Sequence, residues 1–141
     1  MKTLKSIMMG LALLLVCNIS KAAGSNHKGA GKDDVINTYL NAVVHGKLAG
    51  VEDVIADGVQ FNMIRGDKVT TMNKEQLIGS LKAGENTEQD CKCAKSVIQD
   101  SDDVKVTKVE MKYADFTRTD VITTQKVGNG WKITKVDTSF K

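Results

Sequence analysis

Apolar residues in this chain keep two rhythms, a helical one early and a strand one late. Val35, Ile36, Tyr39, Leu40, Val43 and Val44 fall at i, i+1, i+4, i+5, i+8 and i+9, a broad stripe along one helix. Asp33 stands where an N-cap belongs, and Gly46 where the helix should stop. Leu48, Val51, Val54 and Ile55 predict a short second helix that Gly58 ends. Val59, Phe61 and Met63 alternate as a strand, Arg65-Gly66-Asp67 makes a tight turn, and Lys68–Met72 returns as a second strand. Asn73, with Gln76 three residues on, is a capping box opening a helix through Leu77, Ile78 and Leu81 to Gly84. Strands are then expected over residues 91–99, 104–113, 116–127 and 131–140. The last two join through Gly128-Asn129-Gly130, the strongest hairpin signal in the chain. The predicted order is α-α-β-β-α-β-β-β-β.

Two of the late strands change step. Val104 and Val106 are even positions, whereas Val109, Met111 and Tyr113 are odd. Trp131 and Ile133 give way to Val136, Thr138 and Phe140 in the same manner. A strand shows one face at every second residue, so each change of parity predicts one inserted residue, a bulge. Bulges bend and twist a sheet. The expected fold is therefore α+β, a curved, mostly antiparallel sheet wrapped around the first helix as a cone with a concave interior.

The first residues alter this picture by being set aside. Lys2 and Lys5 precede a short apolar run, and Ser20-Lys21-Ala22 supplies small residues at a cleavage site, so residues 1–22 read as a secretory signal peptide. Residues 23–32 read as a flexible tether and 33–141 as the folded domain. A lipoprotein reading would use Cys17, but Val16 is too bulky for the position before a lipidated cysteine. The expected address is the periplasm or the cell exterior. Three of the twenty basic residues leave with residues 1–22 and none of the seventeen acids does, so the remainder is electrically balanced. That excludes the positive surplus a nucleic-acid binder needs. No second long hydrophobic run follows, so no membrane span is expected in the mature chain.

Three stretches in this order carry a family resemblance. They are the opening helix with its short successor, the strand–turn–strand–capped helix FNMIRGDKVTTMNKEQLIGSL, and the Asp120 strand running through Gly-Asn-Gly into Gly130-Trp131-Lys132-Ile133. Together they resemble the nuclear transport factor 2-like superfamily of cystatin-like cones, and within it the small bacterial lumazine-binding and polyketide-cyclase-like proteins. The resemblance implies a cone around the first helix. It also implies a heterocycle ligand by family name, although the fold hosts many functions.

Candidate chemistry is sparse. Enzymes of the resembled superfamily use an Asp, His or Tyr inside the cone to shuttle a proton, and Asp120 lies mid-strand at a place where the small-protein subgroup often carries an Asp; inward it is a catalytic candidate, outward an ordinary ion-pair partner. His27 falls in the tether, and His45 at a helix end, where a solvent-facing cation offsets the dipole. Cys91 and Cys93 are the only cysteines after Cys17. An oxidising address predicts a strained local disulfide between them, with two free thiols on one face, an intermolecular link across a dimer and a redox-active pair as the alternatives. Arg65-Gly66-Asp67 is explained by turn chemistry, and Asp100, Asp102 and Asp103 lack the pattern of a calcium loop. The aromatic residues fit a filled core, with Tyr39, Phe61, Tyr113 and Trp131 beside Asp120 as the candidate ligand-binding set and Tyr39 and Trp131 as stacking partners for a flat ring. The expectation is a non-catalytic, homodimeric binder of a small apolar or aromatic molecule, with no cofactor and no metal. An isomerase, dehydratase or cyclase using Asp120 is one alternative; an envelope protein-interaction module is the other.

Overall fold

The computed structural model describes residues 30–141; the expected signal peptide and residues 23–29 of the expected tether lie outside them. Three helices and six strands follow one another as α1 (Lys32–His45), α2 (Val51–Val54), β1 (Ile55–Arg65), β2 (Lys68–Met72), α3 (Lys74–Ala83), β3 (Lys92–Asp100), β4 (Val104–Lys112), β5 (Thr117–Val127) and β6 (Gly130–Phe140). This is the order read from the sequence. All six strands form one sheet in the order β2-β1-β6-β5-β4-β3. Every neighbouring pair is antiparallel except β1 and β6, which run parallel.

The sheet curves around α1, whose Val35, Ile36, Tyr39, Leu40 and Val44 are buried against Val109, Met111, Ile122, Ile133 and Val136. Burying that apolar stripe on a concave face is what holds a helix of 14 residues in place, because so short a helix is marginal alone. Two ion pairs and a hydrogen bond flank the stripe. Lys105 reaches Asp33, Lys32 reaches Asp100, and Lys95 donates to Asn37 Oδ1 at 2.9 Å. Among the described residues no helix is long and apolar enough to cross a membrane.

The two changes of step have different origins. In β6 the inserted residue is real: Thr124 pairs with Ile133 and Thr123 with Lys135, leaving Thr134 unpaired between them. Inward positions accordingly pass from Ile133 to Val136 and Thr138, all fully buried. In β4 no residue is inserted. Its register with β5 runs unbroken from Val104 to Lys112, and its inward residues are odd throughout, Lys105, Thr107, Val109 and Met111. The apparent switch arises because the inward positions nearest the start of α1 are polar, Lys105 being there to meet Asp33. The bend on that side comes instead from β3, where the register shifts between Val97 and Gln99.

Three local expectations are also corrected. Gly31, not Asp33, is the N-cap of α1; Asp34 accepts the Gly31 N–H at 3.2 Å and Asp33 is turned to Lys105. The second helix is a single turn, and Ile55 already belongs to β1, paired with Ile133 and fully buried, so Gly58 lies within a strand. His45 does not face open solvent: its imidazole is largely covered and pairs with Glu88 of the segment after α3. Asn73 and Gln76 exchange the two bonds of the capping box, at 2.9 and 3.1 Å. Both tight hairpins place positive φ at glycine alone, Gly66 (58°) and Gly128 (60°), the first of two loop residues, which is the pattern of a II′ turn.

Candidate functional site

Asp120 points inward and has no exposed surface. Four donors surround its carboxylate. Oδ1 accepts from Arg118 Nε at 2.9 Å and from Thr138 Oγ1 at 2.8 Å. Oδ2 accepts from Arg118 Nη2 at 2.9 Å and from the Tyr39 hydroxyl at 3.2 Å. Strand periodicity builds this arrangement: Arg118 and Asp120 are two apart on β5 and share a side, Thr138 is Asp120's partner on β6, and α1 lowers Tyr39 onto them. A carboxylate offers about four lone-pair positions. All are taken here, two of them by a bidentate guanidinium.

The neighbours respond electrostatically. Burial, then the adjacent Asp120 charge, pushes the Tyr39 phenol well above its ordinary value near 10. Burial works against the Arg118 charge, but Tyr39 and Asp120 outweigh it and hold the guanidinium above its usual range. The raised Tyr39 value has a consequence for stability. The folded state keeps the phenol proton that the unfolded chain gives up near pH 10, so this contribution is complete below that pH and is lost above it. Urea titrations between pH 10 and 11 should show stability falling, by roughly 1.4 kcal/mol per unit for one proton. Tyr39→Phe should flatten the slope by that proton; equal slopes in both proteins would refute the assignment.

The other expected residues are dispersed. Phe61 is 2% exposed and belongs to the core beside Val136. Trp131 lies at the far end of β6, its ring 5.4 Å from the Lys32 ammonium, in a cleft of about 440 Å³ shared with Thr38, Val54 and Val127. Seven residues of strand separate it from Thr138, about 20 Å, so Tyr39 and Trp131 do not face a common ring. Cys91 and Cys93 are half-buried with their sulfurs 3.9 Å apart. Among the described residues no three potential metal ligands gather.

Tyr113 belongs to a different grouping. Its ring stacks on Phe116 at 4.4 Å, and Phe116 lies 6.2 Å from Phe140. Burial and the adjacent Cys91 push the Tyr113 phenol up to about 12. Arg65 lies over the Phe140 ring at 4.5 Å. Arg65, Gly66, Phe116 and Phe140 line a cleft of about 450 Å³. Register explains the row: Phe140 pairs with Arg118, and Arg65 follows the β1 residues Phe61 and Met63 that alternate on the same side. The cleft therefore sits at the open end of the concave face, with the Arg118–Asp120 pair one step farther in. Sequence reasoning missed Arg65, Phe116, Arg118 and Phe140 as site residues. The available signals were parity with known inward neighbours and the Arg-x-Asp spacing on one strand.

The architecture has many relatives among solved structures. A nuclear transport factor 2-like protein of unknown function from Silicibacter pomeroyi superposes with a TM-score of 0.63 at 18% identity, covering 76% of this chain and 90% of its own. A ketosteroid isomerase-like protein from Erwinia carotovora atroseptica gives 0.60 at 16% identity, covering 82% and 98%. A nuclear transport factor 2-like protein of unknown function in nutrient uptake, from Rhodospirillum rubrum, gives 0.58 at 19% identity, covering 74% and 93%. At these identities the likeness establishes the fold alone. No functionally curated protein matches the chain. The model of the family described as "Putative lumazine-binding" matches residues 29–137, nearly the whole of the described domain. The chain is a member of that family, built on the nuclear transport factor 2-like cone.

Proposed function

We propose that the protein binds a small, flat, aromatic guest without catalysis, at the cleft between Arg65 and Phe116. The observation that carries this reading is the composition of that cleft. Two aromatic rings, Phe116 and Phe140, and one guanidinium line a volume of about 450 Å³, within the range of small-molecule sites. Phe116 is 42% exposed, which leaves a ring surface for a guest to cover. Arg65 suits a guest with a π-rich or anionic edge. A bicyclic heteroaromatic of the lumazine type has these properties, in keeping with the family's name. Saturation of Asp120 by Arg118, Tyr39 and Thr138 supports binding over proton transfer. The same reading keeps the chain exported and homodimeric, with exposed Val97 and Ile98 on β3 as apolar surface for a second copy.

Thermal unfolding with increasing lumazine tests the site, since a ligand that binds only the folded state raises the midpoint by mass action. The wild-type midpoint should climb with concentration. Arg65→Ala should weaken binding about two- to thirtyfold, the range of a cation–π contact worth about 0.5–2 kcal/mol. Phe140→Ala should weaken it at least as much. A wild-type midpoint indifferent to lumazine, or both variants responding like wild type, would overturn the placement.

A further inference from the structure

We propose that Cys91 and Cys93 form a reversible two-electron redox couple that exchanges with small disulfides at the rim of the concave face. Cys93 pairs with Met111 in the β3–β4 ladder, which sets it on the inward side, and Cys91 lies two residues earlier on the same side. Their sulfurs are 3.9 Å apart, so closure to a bond of about 2.05 Å requires an approach of roughly 2 Å. Cys91 precedes β3, and its N–H is satisfied locally by Gln89 O at 3.1 Å. It is thus able to shift without breaking a ladder bond. Both side chains are half-buried, reachable by a small molecule but shielded from bulk.

The size of the loop determines what kind of disulfide would result. A bridge across one intervening residue removes little chain entropy from the unfolded state and bends its own geometry, so it is easily reduced. That suits a couple and disqualifies a staple. A metal site is disfavoured because, among the described residues, no third thiol, imidazole or carboxylate gathers at the pair. Tyr113 stands beside the pair: burial and Cys91 raise its phenol, its hydroxyl donates to Gln89 Oε1 at 3.4 Å, and its ring stacks on Phe116, a wall of the cleft.

The chemistry balances with a small disulfide RSSR as oxidant. One cysteine thiolate attacks a sulfur of RSSR, forming a mixed disulfide and expelling RS⁻. The second cysteine attacks the protein sulfur of that mixed disulfide, closing Cys91–Cys93 and expelling a second RS⁻. The two protons released by the cysteines convert both leaving groups to RSH. The protein loses two electrons and two protons, and RSSR gains them.

Oxidised glutathione supplies the test. Trypsin cuts after Lys82, Lys92 and Lys95, so a Cys91–Cys93 bridge appears as peptide 83–92 joined to peptide 93–95, distinct from anything formed by Cys17. The full chain should yield that joined pair after oxidised glutathione and lose it after dithiothreitol. Cys93→Ser should instead accumulate a glutathione adduct on Cys91. A wild-type chain that stops at glutathione adducts, cross-links between chains, or leaves both thiols unreacted would overturn the proposal. These readouts are independent of any guest in the cleft.

Discussion

Replacing Asp120 by alanine should destabilise the fold by about 3–5 kcal/mol, the cost of leaving a buried charge without its partner. Arg118 would lose both bonds of its bidentate pair while its side chain, 18% exposed, stays largely shielded from water. Tyr39 and Thr138 would each lose an acceptor in the same step. Urea unfolding at neutral pH measures the effect. The double variant Arg118→Met, Asp120→Leu distinguishes a lost pair from lost packing: removing both charges should recover most of the deficit, because apolar replacements of a buried pair are often neutral. It also keeps the test open if Asp120→Ala fails to fold, as a loss of this size is a large share of a domain's total stability. A cost below about 1 kcal/mol would mean that water reaches Arg118 and that the lock around Asp120 is not structural.

Gly46→Ala should be comparably damaging, at least about 2 kcal/mol, through backbone alone. Gly46 ends α1 with φ of +62°, a conformation that penalises any side chain. A β-carbon there would stand 2.5 Å from Gly84 O and 2.6 Å from the backbone nitrogens of Asn86 and Thr87. These are main-chain atoms, unable to swing aside. The same segment is stitched to the end of α1 by Asn86 N–H to Gly46 O at 2.9 Å and Gln89 N–H to Val44 O at 2.7 Å. Chemical unfolding of Gly46→Ala against Gly66→Ala isolates the steric part: Gly66 also has positive φ but open space around it, and should lose markedly less. Equal losses would show that φ, not crowding, sets the cost at Gly46.

Much of the architecture was legible because single residues reported single physical demands. The α1 stripe, the Asn73–Gln76 box and the glycine hairpins each express a local rule, and each is present. The β6 bulge was visible because its inward residues are apolar or threonine on both sides of Thr134. The β4 reading went wrong where tertiary electrostatics overrode hydrophobic parity. Lys105 is buried at 6% exposure because Asp33 waits beneath it, and the even-numbered valines lie on the other face. Ile55 was read as helical because an apolar residue at i+4 fits either period, and only pairing with Ile133 decides it. Site chemistry was harder to read. Asp120 stood out, but the meaning of a buried acid depends on its partners, and Arg118 becomes one only through strand parity. Arg65 was absorbed into a turn motif; that it lies over Phe140 depends on β1 running beside β6, a long-range choice with no local mark.

That β1–β6 pairing governs when the domain is able to assemble. β6, last in chain order, fills the third place in the sheet, between β1 and β5. A nascent chain lacking it holds only two fragments, the β1–β2 hairpin and the β3–β4–β5 meander, with no ladder bond between them. Neither fragment encloses α1. The ribosome must therefore release β6 before a cooperative nucleus becomes possible, and the closing event joins segments about seventy-five residues apart.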